Sequence, residues 1–227
     1  MTSVIDTAQR GLFGAVDDRL PPGLQFAADL VGPDEERALL AVLRTLPLQP
    51  ARYHGYLARR RVFAWRAADD GGGADDDHRP REAGASERTP ATSSGLGASL
   101  AELPPPLVRL RTRLARWAGI DEVDFVHAMV SEYTPGAPLG WHRDAPHYEH
   151  IVGVSLASAA RLRWRPWPHD RGADAGPPAR SSIVTLELPP RSAYAMQGPA
   201  RWGWQHSLAP VAALRYSITM RTARRRD

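Results

Sequence analysis

The sequence predicts an α+β fold that is mainly β, a sandwich, jelly roll or barrel with helices bracing one side. Two observations carry this. From Val123 onward apolar residues recur with a period of two, in short runs broken by turn residues, as half-buried strands do. Upstream, two segments space their apolar residues three and four apart, which is helical. The 227 residues suit one domain over 1–227, with 1–120 supplying the helices and a mobile loop and 121–227 the β core.

The elements follow in chain order. After a lead-in, Pro33 suits a first helical position, Asp34 to Glu36 suit the positive helix end, and Leu39, Leu43 and Leu46 share a face until Pro47 stops the helix. Arg52 to Trp65 reads as short extended segments with exposed arginines. Asp69 to Leu100, rich in Gly, Asp, Ser and Arg without periodicity, reads as a long mobile loop. The second helix follows Pro104 to Pro106, with Leu107, Leu110, Leu114 and Trp117 as its stripe and Gly119 as its end. Strands are expected at Val123–Tyr133, Ile151–Leu156, Arg161–Arg165, Ser182–Leu188, Ala193–Gln197 and Leu214–Arg221.

Composition removes several functions. Cysteine is absent, which excludes disulfides, thiolate metal sites and a cysteine nucleophile. No apolar run reaches the ~18 residues of a membrane span, and Met1 to Arg10 lacks the apolar stretch of a secretory signal. No membrane partner and a cytoplasmic location are therefore expected. All 29 basic residues are arginine, which a coding bias explains; a net charge of +4 is compatible with a nucleic-acid partner.

The chemistry gathers around His142-Arg143-Asp144. Residues two apart on a strand point the same way, so an imidazole and a carboxylate can project together as two thirds of a facial metal triad. His147, His150, His169 and His206 are candidates for the third ligand. His206 stands out, in a short segment after a Gly-Pro turn that a β-roll can return to the first ligand strand. On the last strand Arg215 and Arg221 are an even distance apart and share a face with Ser217 and Thr219. Inward arginines need anions. A dicarboxylate would serve, and Glu132 or Glu187 are structural alternatives for Arg221.

SEYTPGAPLGWHRD (131–144), VGVSL (152–156), LELPPRSAYAMQGPARWGWQHSL (186–208) and RYSITMR (215–221) together resemble the AlkB-like Fe(II)/2-oxoglutarate-dependent dioxygenases. The resemblance implies a double-stranded β-helix, with iron held by His142, Asp144 and His206. It also implies 2-oxoglutarate bound by Arg215 with Tyr133, Ser131, Ser217 and Arg221, and O2 as oxidant. The expected reaction is oxidative demethylation of N-alkylated bases in DNA or RNA, as in alkylation repair. A substrate lid would then use Arg61, Phe63 and Trp65, with His147 near the base. Ser131 and Ser217 stand where asparagine often occurs. Ala145-Pro146 follows Asp144 where base-repairing members often carry an acid. Two alternatives follow: the same chemistry on a protein side chain or small molecule, or a non-catalytic cupin-like binding module.

Overall fold

The central strands of the larger sheet are buried along nearly their whole length, so both of its faces are covered. The computed structural model describes residues 20–53, 56–67, 97–167 and 183–225. Most of the loop expected from Asp69, together with His169, lies outside the described residues.

Twelve strands form two sheets among the described residues. Sheet A runs β1(Leu24–Ala27), β10(Ala193–Met196), β7(Tyr148–Leu156), β12(Arg215–Ala223), β5(Phe125–Tyr133), β3(Tyr56–Arg66), β2(Gln49–Tyr53), with β4(Gly97–Ser99) added to β3. Sheet B runs β6(Leu139–His142), β11(Trp204–Leu208), β8(Ala160–Pro166), β9(Val184–Leu188). From β5 to β12 the chain passes repeatedly between the sheets, which makes the double-stranded β-helix. The pairings are antiparallel, apart from the parallel β3–β4 pair.

The helices α1(Pro33–Leu43) and α2(Pro105–Ala118) both begin on proline, which has no amide to leave unpaired there. Gly119 closes α2 at φ 69°, the left-handed conformation a glycine adopts without strain. Their leucines (39, 43, 107, 110 and 114) are fully buried against Ala128, Val130, Val154, Ile218 and Met220 of sheet A. At about 1.5–3 kcal/mol per buried leucine, this packing is a main source of stability. A second core, with Ile151, Leu162, Trp164, Leu188, Tyr194 and Leu208, fills the space between the sheets. Among the described residues no helix is long and apolar enough to cross a membrane.

Several elements differ from the sequence expectation. The extended segments expected over Arg52–Trp65 fall in β2 and β3 of sheet A, and β1 and β4, which were not expected, extend that sheet further. Gly97–Ser99, inside the expected loop, pairs with β3. Val123 sits in a short 3-10 turn, 82% exposed, so β5 starts at Phe125. β7 begins three residues early, at Tyr148, which takes His150 out of the loop. Gly198–Trp202 forms a one-turn helix, α3, instead of a bare turn.

Candidate metal centre

The structure brings His142, Asp144 and His206 together, with one donor atom of each lying within 4.8 Å of the others. His206 on β11 is the direct cross-strand partner of His142 on β6, and their rings lie 4.2 Å apart. Asp144 is not on the strand as the spacing predicts. β6 ends at His142, and Arg143 and Asp144 leave the ladder.

Arginines, in place of strand alternation, hold Asp144. Arg221 donates Nε and Nη2 to its Oδ1 at 3.0 and 2.9 Å. Buried Arg201 of α3 donates Nη2 to the carbonyls of Asp144, Ala145 and Tyr148 at 3.1, 2.7 and 2.9 Å. One carboxylate oxygen is thereby occupied. The other, Oδ2, is buried, accepts no hydrogen bond among the described residues, and lies 3.5 Å from His206 Nε2. A buried carboxylate oxygen without a donor fits a cation ligand.

The electrostatics agree. Burial would raise the Asp144 pKa, but the Arg221 charge, with that of Arg201, outweighs it and holds the carboxyl well below the usual carboxylate range. His206 is pushed down to about 3, first by burial and then by His142, so it is neutral at working pH. His142 places Nδ1 2.9 Å from the Gly140 carbonyl, which can only accept, so Nδ1 donates there and Nε2 is the nitrogen left for a metal. Two imidazoles and one carboxylate are a donor set suited to Fe(II).

The three residues line a cavity whose wall also includes Ser131, Tyr133, Arg215, Ser217, Thr219 and Arg221. The expected shared face of β12 is therefore real. Arg215, 2% exposed, donates Nε to Ser155 Oγ at 3.0 Å and lies 5.1 Å from the centre of the Tyr133 ring. Burial lowers its pKa. Arg221 meets Asp144, not Glu132 or Glu187, and its Nη1 donates to His127 Nδ1 at 3.0 Å.

The proposed lid residues are not on this wall. On β3 the odd positions face the helices. Arg61 pairs with Glu132 (2.7 Å), while Phe63 and Trp65 meet edge-on at 4.8 Å, with Trp65 buried in the helical core. Strand alternation gives the cavity the even positions, and Arg60 lines it. His147 is not part of the wall either; its ring packs on Tyr148 at 4.1 Å.

Tyr194 is a wall residue that sequence reasoning missed. It pairs with Gly153 across β10–β7, and a Cβ on that glycine would lie 2.4 Å from the phenol ring. The glycine inside VGVSL was the available signal. Arg201 had none, because its partners are backbone carbonyls.

A family model for the 2OG-Fe(II) oxygenase superfamily matches residues 23–224. The chain is similar in structure to a Pseudomonas putida prolyl-4-hydroxylase, at 15% identity and TM-score 0.54, over 90% of this chain and 94% of that one. It is similar to OsALKBH1 at 15% identity and TM-score 0.58, over 89% and 99%. A prolyl hydroxylase from Trichoplax adhaerens, solved with a hypoxia inducible factor oxygen degradation domain peptide fragment, aligns at 11% identity and TM-score 0.53, over 88% and 83%. At these identities the likeness is one of fold. No curated protein matches the sequence.

Proposed function

The chain belongs to the 2OG-Fe(II) oxygenase superfamily, and from that premise we propose that it oxidatively demethylates N-alkylated bases in DNA or RNA, as alkylation repair requires. It is a dioxygenase that uses Fe(II), 2-oxoglutarate and O2. Iron with the cosubstrate and O2 supplies the C–H oxidation; a hydroxymethyl group left on nitrogen then collapses to formaldehyde.

In this reading the protein's own residues position and insulate. His142, Asp144 and His206 would hold the metal. Arg221 occupies Asp144 Oδ1 and leaves Oδ2 for the metal. Arg215 grips the distal carboxylate beside Tyr133, with the Ser131 and Ser217 hydroxyls along the wall. The apolar residues between the sheets keep bulk water out.

The observation that carries the substrate class is a strip of arginine and tryptophan flanking the ligand strand. Trp141, next to His142, has Arg165 and Arg163 at 4.5 and 5.3 Å from its ring centre. Arg143 stacks on Trp167 at 4.5 Å, and Arg224 on Trp202 at 4.4 Å. Half-exposed rings interleaved with guanidiniums suit a polyanion with stackable bases.

Formaldehyde release from N-methylated oligonucleotides and from N-methylated peptides tests the reading. Release from the oligonucleotides, weakened by salt and by Arg165→Gln, is expected. Release from peptides alone would move the substrate to a protein side chain, in keeping with the missing acid at Ala145-Pro146.

A further inference from the structure

One row of the cavity face is left unexplained by the metal site. Arg61 is opposite Glu132 and Tyr133 is opposite Arg215 in the sheet A register. Arg60, one position before Arg61, therefore lies beside Tyr133 on the other face. Arg60, Tyr133 and Arg215 form a line across β3, β5 and β12, and all three line the cavity.

Arg60 is only 9% exposed, and its Nε has no partner among the described residues. Nor does either Arg60 or Arg215 form an ion pair among the described residues. Glu132 is across the sheet with Arg61, and Asp144 is held by Arg221. An arginine cannot shed its charge, and a buried cation without an anion is costly. The cavity wall carries three arginines and one aspartate, an excess of two positive charges. The arrangement calls for an anion between Arg60 and Arg215.

We propose that Arg60 is a second anchor for the distal carboxylate of the cosubstrate, shared with Arg215 across Tyr133, and that it makes the cavity selective for dicarboxylate 2-oxo acids. The inference rests on the reading of Arg215 as the first anchor. Position favours the cosubstrate over an anionic group of the primary substrate. Arg60 is level with Arg215, six residues along β12 from Arg221, which holds Asp144. That places it with Arg215 toward the end of the cavity away from the metal ligands, where the distal carboxylate of a chelated 2-oxo acid would point, whereas the reacting atom of the substrate must come to the metal.

Calorimetric titration of 2-oxoglutarate and of 2-oxovalerate tests this, with Mn(II) as a redox-inert metal. 2-Oxovalerate has the same five-carbon chain with a methyl group in place of the distal carboxylate. Arg60→Met should weaken 2-oxoglutarate about tenfold, the loss of one charge-assisted contact, and leave 2-oxovalerate unchanged. Arg60→Lys should recover part of the loss, and Arg60→Gln serves if the methionine variant does not fold. Equal weakening of both acids, or of neither, overturns the proposal. Arg215→Met, run in parallel, separates the two readings. A loss there without a loss at Arg60 leaves the first anchor standing, while no loss at either removes both.

Discussion

On β12, Tyr216, Ile218 and Met220 turn toward the helices, while Arg215, Ser217, Thr219 and Arg221 turn into the cavity, and all of them are buried. The first set does what buried residues ordinarily do. The second pays for desolvation without full compensation from the protein, because Thr219 Oγ1 has no hydrogen-bond partner among the described residues, nor does Oδ2 of Asp144, the partner of Arg221. One strand thus separates a stabilising face from a cavity-lining face, and substitutions on the two should have separable effects.

The largest effect is expected on the cavity face. Arg215→Ala removes a charge-assisted contact and should cost ~2–5 kcal/mol of 2-oxoglutarate binding, a rise in Kd of about 30-fold or more. Metal affinity without cosubstrate should be unaffected. Calorimetry checks both, and an unchanged Kd would move the anchor off this residue.

On the helix face, Ile218→Ala should cost about 2–5 kcal/mol of stability in urea unfolding, because it opens a cavity in a fully buried site. The 2-oxoglutarate Kd of the folded fraction should stay as in the parent. A large change in that Kd would show that the two faces are coupled.

The histidines give the comparison a pH signature. Burial and then Arg221 hold His127 well below its ordinary pKa, and burial and then His142 push His206 down to about 3. Both native values lie below the ~6.5 of the unfolded chain. As pH falls below ~6.5 the unfolded state takes up protons that the native state refuses, so stability falls with pH, by up to about 1.4 kcal/mol per pH unit for each group. Chelator-treated protein should show a lower urea midpoint at pH 5 than at pH 7.5; a flat profile would contradict the neutral burial of these rings.

The smallest effect is expected for Thr219→Val. It replaces an unpartnered hydroxyl by a methyl of similar shape and should be neutral or stabilising by up to ~1 kcal/mol. A marked loss of stability would mean that the hydroxyl has a structural partner.

Much of this was legible in the sequence for identifiable reasons. The position of His206 after Gly198-Pro199 and the even spacing of Arg215 and Arg221 are local patterns that survive folding, and His142 and Asp144 stay close, though not by strand alternation. The proline starts and leucine stripes of α1 and α2 are equally local. The β3 face was not legible, because RRRVFAW (59–65) places arginine on both parities and only pairing with β5 decides which one enters the cavity. The Arg201 clamp on residues 144–148 and the fit of Tyr194 over Gly153 depend on contacts between segments distant in the chain. The end of β6 at His142 was missed because period two cannot show where a ladder stops.

The assignment of His142, Asp144 and His206 as the metal ligands is tested most directly by adding Fe(II) and then 2-oxoglutarate without oxygen, while following the visible charge-transfer absorbance. The parent should develop the band. Asp144→Ala and His206→Ala should not, although their far-ultraviolet circular dichroism matches the parent, whereas His147→Ala and His150→Ala should behave as the parent does. A band of full intensity in Asp144→Ala, at the same iron concentration, would contradict the metal centre described here.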